Sequence, residues 1–356
     1  MWLPDCGDLR LNMAAYEKAF DTLGLRPWCN AGATGGPMSM DDLLAKAGAA
    51  GTDQPESFPF PSLDVLHKAC GAIPRTRDMT AGLERLFLDV KDPIKFVLDP
   101  VTQPLSWALR NAIDLLQALP WWAAILILVA IAHFAGRRIG VTVFALVAFL
   151  ALAFIDHFGY AMQTLAIIMV CTFICVLFGV PIGIAMSRSN RLESWLTPFL
   201  DLLQTLPTFV YLIPLIFLFS VTEPKLYGIA IILYAIVPSI RLTNLGIRLV
   251  DKDVLEAGEA FGMTSWQKLY RVQLPLALPN IMAGINQTIM LSLSMVVIAS
   301  LVSAPGLGTL VLRGINKLEL GVGLVAGLGI VILAIVLDRV SRAALQRVNQ
   351  MHQSRT

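Results

Sequence analysis

Residues 251–275 read DKDVLEAGEAFGMTSWQKLYRVQLP, a polar stretch lying between two long apolar segments. Asp251 or Asp253 can cap a helix start, and Glu256 and Glu259 lie near that helix's positive end. Gly258 and Gly262 weaken the helix, and Gly262 suits a C-terminal stop in a left-handed conformation. A short helix closed by a sharp turn is therefore expected, set crosswise under a membrane domain. Pro275 and Pro279 suit the start of the next span, where a missing amide costs least. An ordinary interfacial helix would share this composition; the order and spacing of the residues are what separate the two readings.

The remainder of the chain supplies the membrane. Of 356 residues, 56% are hydrophobic and only 15% charged, where soluble domains carry about 25% charge. The net charge of +2 is small, and no nucleic-acid partner is expected. A polar tail, 1–104, holds the turn-rich runs Gly32 to Pro37 and Pro55 to Pro61 and reads as partly irregular. It shows no cationic, apolar, small-residue order of a cleavable signal peptide. Residues 105–118 interleave apolar and polar side chains. They read as an amphipathic helix, either lying at the membrane surface or packed on the domain's own flank. Residues 119–155 form two peripheral spans, 160–337 the core and 338–356 a basic tail. Cys6, Cys29 and Cys70 fall in the polar tail, where a pair can form if the tail is outside. Cys171 and Cys175 share one helix face in an apolar run and read as packing.

Apolar runs of about 18 residues read as membrane helices. Seven are expected: Leu119–Gly136, Ile139–Ile155, Tyr160–Met186, Pro198–Val221, Leu226–Ile247, Leu276–Val302 and Gly321–Leu337. Alternate loops and the C-terminal segment collect 13 Lys and Arg, from Arg137 to Arg355, whereas the opposite loops hold 3, Lys225, Arg313 and Lys317. The richer side is expected to be cytoplasmic. An odd number of spans then puts the N-terminal tail outside.

The spacing of the polar loop carries a resemblance. Glu256-Ala257-Gly258, three residues, Gly262, nine residues and Val272-Gln273-Leu274-Pro275 resemble the "EAA" loop of ABC importer permeases. The departures are Gly258 for an alanine and Val272 for an isoleucine, both small in volume. Gln204 to Pro207, Phe209 to Pro214, Val237 to Arg241 and Val272 to Ser300 are similar to the permeases of bacterial glycine betaine/proline betaine ABC uptake systems. Ser303-Ala304-Pro305 departs from the glycine-rich run expected there. The resemblance implies an all-α type I importer core in the bacterial inner membrane, serving osmoprotection. It implies a second copy of the chain, a dimer of separate ATPase subunits that hold the ATP and magnesium, and an extracytoplasmic binding protein. Glu256, Ala257, Gly258, Gly262, Leu274 and Pro275 would form the ATPase coupling contact.

The chain itself has no Gly-x4-Gly-Lys-Ser/Thr loop, so no cofactor and no catalytic residues are expected in it. His67, His133, His157 and His352 are scattered, and no metal cluster is read. Polar residues in spans usually face a protein interior or a wet cavity. Candidates for a translocation path are Gln204, Thr205, Thr208 and Tyr211 on the fourth span, Asn244 on the fifth, and Asn286, Gln287, Thr288, Ser292 and Ser294 on the sixth. Helix-to-helix hydrogen bonding is the competing role for each. Trp195, Phe209, Tyr211 and Tyr234 are aromatic faces suited to a quaternary ammonium, or interfacial anchors. Two other functional classes remain: a stand-alone secondary carrier or channel, which needs charge within the spans, and an osmosensing membrane anchor.

Overall fold

The computed structural model describes residues 20–24 and 76–353. The turn-rich runs of the tail and Cys6, Cys29 and Cys70 lie outside them. By contacts the chain divides into residues 1–92 and 93–356, and the second unit holds the membrane core. The described residues form helices and no strands.

In order these are α1 (Thr76–Ala118), α2 (Trp121–Gly136), α3 (Ile139–Phe154), α4 (Phe158–Arg188), α5 (Asn190–Thr205), α6 (Leu212–Leu218) and α7 (Pro224–Arg248). They continue with α8 (Lys252–Ala260), α9 (Ser265–Lys268), α10 (Leu274–Ala299), α11 (Leu307–Asn316) and α12 (Leu320–Gln353). Four continuous stretches are long and apolar enough to cross a membrane: Phe158–Arg188, Pro224–Arg248, Ser265–Val302 and Leu320–Arg347. They contain the third, fifth, sixth and seventh expected spans.

The other three differ from expectation. The fourth is a bent pair, α5 and the segment Thr208–Leu218, meeting at 99°. Its first limb begins at Asn190, where the Ser189 side chain accepts a bond from Leu192 N at 3.3 Å. It stops at Leu206, held extended (ψ 133°) by the proline that follows. The first span is one limb of a 112° bend with α1, and α3 has only 16 residues. The helix expected from residue 105 starts at Thr76 and takes Pro93, Pro100 and Pro104 into its interior. A proline removes a backbone donor, yet the helix runs through all three. From Asp99 on, this helix is packed on the flank of α7. A Cβ at Gly228 would lie 2.7 Å from Leu109 Cδ1, and the Lys225 ammonium donates to Asp99 at 2.6 Å.

The middle of the core is α7 between α4 and α10, at backbone contact. A Cβ at Gly183 would meet the Ile240 carbonyl oxygen at 2.6 Å, and one at Gly284 the Pro238 oxygen at 3.0 Å. At Gly246 it would lie 2.7 Å from Asn280 Cβ. Small residues allow this approach in membrane helices. Arg248 on α7 donates to the Met186 carbonyl on α4 at 3.1 Å, so these two helices end side by side. Segment α5–α6 must therefore return the chain from that end to the other. Arg188 donates to Ser265 O at 3.0 Å, Arg347 to Phe134 O, and Gly136 lies against Ala343. Nearly all the basic loops thus gather at one end of the bundle. Lys225, Arg313 and the contact of Leu307 N with Thr164 Oγ1 at 2.9 Å mark the other.

Candidate functional site

At the basic end, the Asp251 side chain caps α8 by accepting from Asp253 N at 3.0 Å. The helix closes with two bonds, Gly262 N to Glu259 O at 2.9 Å and Met263 N to Gly258 O at 3.1 Å. Together with Gly262 at φ 74°, these make the double-bonded left-handed termination that a glycine permits. Met263 folds back over Gly258, its sulfur 3.4 Å from where a Cβ would sit. Gly258 is buried inside the turn, whereas Glu256 and Ala257 are exposed.

A second short helix follows. Thr264 Oγ1 accepts from Gln267 N at 3.4 Å, and Gln267 Oε1 in turn accepts from Thr264 N at 2.9 Å, a reciprocal cap. Lys268 pairs with Glu259 across the turn. The Arg188 guanidinium lies 4.3 Å over the Trp266 ring, and Trp266 stacks on Tyr270 at 5.8 Å. Residues Leu269–Gln273 take a wider π-type turn, directly before Pro275 in the first turn of α10. A π turn is one way for a helix to absorb a proline without a break. Leu274 and Pro275 therefore continue a helical path from Ser265 instead of starting a separate span. Leu269, fully buried, anchors this path among Ile247, Ala277 and Ile281.

The outward face of α8 is apolar along Val254, Ala257 and Phe261, spaced three and four residues apart. Phe261 is 86% exposed and Val254 42%. Asp253 and Glu256 flank this stripe. A braced helix showing an apolar stripe with an acidic border can seat in a groove with a basic rim. The spacing of Val254 and Phe261 was visible in the sequence, but Arg188 and Trp266, which hold the loop in place, are 78 residues apart and gave no local signal.

The polar residues of the spans separate into two groups. Asn244 donates to Glu193 at 2.8 Å and accepts from Arg248 at 3.0 Å; Arg248 also reaches Asn190 at 2.9 Å and Glu193 at 2.9 Å. Asn286 donates to Asp338 at 3.4 Å and accepts from Ser341. Ser292 accepts from Thr172 at 3.4 Å, and Thr288 is fully buried with no partner for its hydroxyl. These four are interior to the helix packing. Gln204, Thr205, Gln287 and Ser294 are exposed and Thr208 is half-buried. Tyr211 ends the short turn Thr208–Tyr211, and its side chain is outside the described set. Tyr234 packs beside Val237 and Ile240, while Trp195 and Phe209 are exposed.

Two ion pairs lie along the helices that carry the expected spans. Arg241 on α7 pairs with Asp201 on α5, and Asp338 holds Arg342 at 2.8 Å. Asp201 falls inside the expected span Pro198–Val221, but its partner Arg241 lies 40 residues on in sequence, so the pairing gave no local signal.

A family model, "Binding-protein-dependent transport system inner membrane component", matches residues 176–350. The glycine betaine/proline betaine transport system permease protein ProW of Escherichia coli (strain K12) is 41% identical over 294 residues, 82% of this chain and 80% of that protein. The glycine betaine transport system permease protein OpuAB of Bacillus subtilis (strain 168) is 43% identical over 245 residues, 68% of this chain and 86% of the relative. A chain from an inward-facing structure of the MetNI methionine ABC transporter superposes with a TM-score of 0.47 and 20% identity, over 52% of this chain and 92% of its own length.

Proposed function

The chain belongs to the inner-membrane components of binding-protein-dependent transport systems, and from that premise we propose that it forms the translocation path of an ATP-driven importer for betaine-type compatible solutes. It is a transport subunit by family, not a catalytic enzyme. The observation that carries the substrate class is 41% identity across 80% of a glycine betaine/proline betaine permease.

In this reading the apolar stripe of α8 is the docking face for a separate ATPase. Val254, Ala257 and Phe261 fill its groove, and Glu256 pairs with a basic group on the rim. Gly258 and Gly262 act one step back, by giving α8 its compact termination. Closure of the ATPase pair on ATP displaces α8, and the Leu269 anchor passes that displacement to α7 and α10. The basic end of the bundle is then cytoplasmic, and the end bearing Lys225, Arg313 and α11 meets the extracytoplasmic binding protein. One coupling loop per chain and two docking grooves per ATPase pair call for two copies about a two-fold axis.

The test is reconstitution in liposomes with the ATPase and binding protein encoded beside this chain. ATP-dependent accumulation of labelled glycine betaine or proline betaine is expected. ATP-independent uptake, or no uptake of any betaine by a complex that assembles with its ATPase, overturns the reading.

A further inference from the structure

Helix α5 has three faces where a membrane helix needs only two. Leu196, Leu200 and Leu203 turn inward onto Met186, Val237 and Ile240. Trp195, Phe199 and Leu202 form a second, exposed apolar face, 85%, 53% and 51% accessible. Ser194, Asp201 and Thr205 form a third face, exposed and polar. The outer apolar face suits lipid or a second copy. A polar face at span depth requires water or a polar partner beside it.

That polar face carries a charge pair. Asp201 lies 11 residues beyond Asn190, about 16 Å along the helix. Arg241, on α7, lies about 10 Å inward from Arg248 by the same rise. The two side chains are 53% and 37% exposed and bonded to one another. The Arg241 Nε–H is buried and has no acceptor, so part of the guanidinium's bonding capacity is unused. Tyr234 is seven residues before Arg241, on the same face of α7.

We propose that Asp201 and Arg241 form a station for the zwitterionic substrate on its way through the membrane, entered by exchange of ion pairs. The substrate carboxylate takes the place of Asp201 on the Arg241 guanidinium. The quaternary ammonium takes the place of Arg241 beside Asp201, with the Tyr234 ring as the nearest aromatic surface on α7. Both charges stay partnered before, during and after passage, which avoids the penalty of stranding a charge away from water. A quaternary ammonium has no N–H to donate, so its contact with Asp201 is coulombic only. The station therefore holds the substrate weakly enough to release it, as a conducting path requires. No amino-acid side chain but arginine offers a fixed planar fork matched to the carboxylate.

This inference rests on the reading of the chain as a betaine permease, and the test separates the two. Single cysteines are placed at Thr205, Asp201 and Leu202 in the complex with its ATPase and binding protein, and treated with a water-soluble, membrane-permeant thiol reagent. Thr205→Cys and Asp201→Cys are expected to react at least about tenfold faster than Leu202→Cys, and excess glycine betaine is expected to slow the reaction at Thr205→Cys. In liposomes, Asp201→Asn and Arg241→Gln are expected to lower the betaine molecules imported per ATP hydrolysed by about tenfold, while Arg241→Lys, which keeps the charge and loses the planar fork, is expected to fall between Arg241→Gln and the parent. Equal reactivity of the two faces, absence of betaine protection, or an unchanged import-to-hydrolysis ratio in both neutral variants overturns the station. Failure of the wild-type complex to import betaine instead overturns the functional reading on which the station depends.

Discussion

Gly262 and Gly183 show two different reasons for a glycine. At Gly262 a Cβ would meet nothing within 4 Å, and only the φ of 74° excludes other residues. At Gly183 the backbone is ordinary, and the Ile240 carbonyl oxygen, 2.6 Å from where a Cβ would sit, leaves no room. Gly183→Ala should therefore lower the thermal unfolding midpoint in detergent, at a cost of about 1–3 kcal/mol, while Gly321→Ala, in open space, should not. Equal midpoints for the two variants would show that the helices part easily. Gly262→Leu and Glu256→Lys should both insert yet lose ATP-driven uptake. The first strains the α8 termination by about 1 kcal/mol or more; the second reverses a charge at the docking face, at about 2–5 kcal/mol. Full uptake by both variants would remove α8 from the coupling step. Much of this was legible in residues 251–275, because caps and left-handed stops depend on near neighbours. The site of Gly258 was not: its burial comes from Met263, five residues on, folding back over it.

Elements were legible where a single apolar period ran unbroken, as in α4, α7 and α10. They were misjudged where proline had two outcomes. Pro207 breaks the fourth span into limbs 99° apart, while Pro93, Pro100 and Pro104 remain inside α1 and Pro275 follows a π turn. Local sequence does not distinguish these, because the choice depends on what packs around the freed carbonyl. The loop from α8 to α10 depends likewise on a distant brace, the Arg188 guanidinium on Trp266 and Ser265. Arg188→Ala removes a cation–π contact of about 0.5–1 kcal/mol and a charged hydrogen bond of about 1.5–3 kcal/mol. Tryptic cleavage after Lys268 and Arg271 in the detergent-solubilised complex should then accelerate several-fold. A cleavage rate like that of the parent would show the brace to be dispensable.

For the whole molecule, the positions of basic residues carried the information. Loops far apart in sequence converge on one end of the bundle, the end that the charge count assigns to the cytoplasm. Cys29 and Cys70, if reduced, should react with a membrane-impermeant thiol reagent in intact cells. Reaction only after the cytoplasmic side is opened would invert the topology. Native mass spectrometry of the complex should weigh two copies of this chain per two ATPases, and a single copy with transport intact would rule the pair out. The glycine contacts among α4, α7 and α10 have a mechanical consequence. Three rods touching at backbone cannot slip past each other by a methyl's width without collision. A displacement applied at Leu269 therefore reaches the far end of α10, a helix of 26 residues and about 39 Å, with little lost to internal compliance. Among the places where the helical ladder is interrupted are Leu206-Pro207 and Gly262, so a movement of α8 is expected to turn this stiff block on those joints like a lever on its pins.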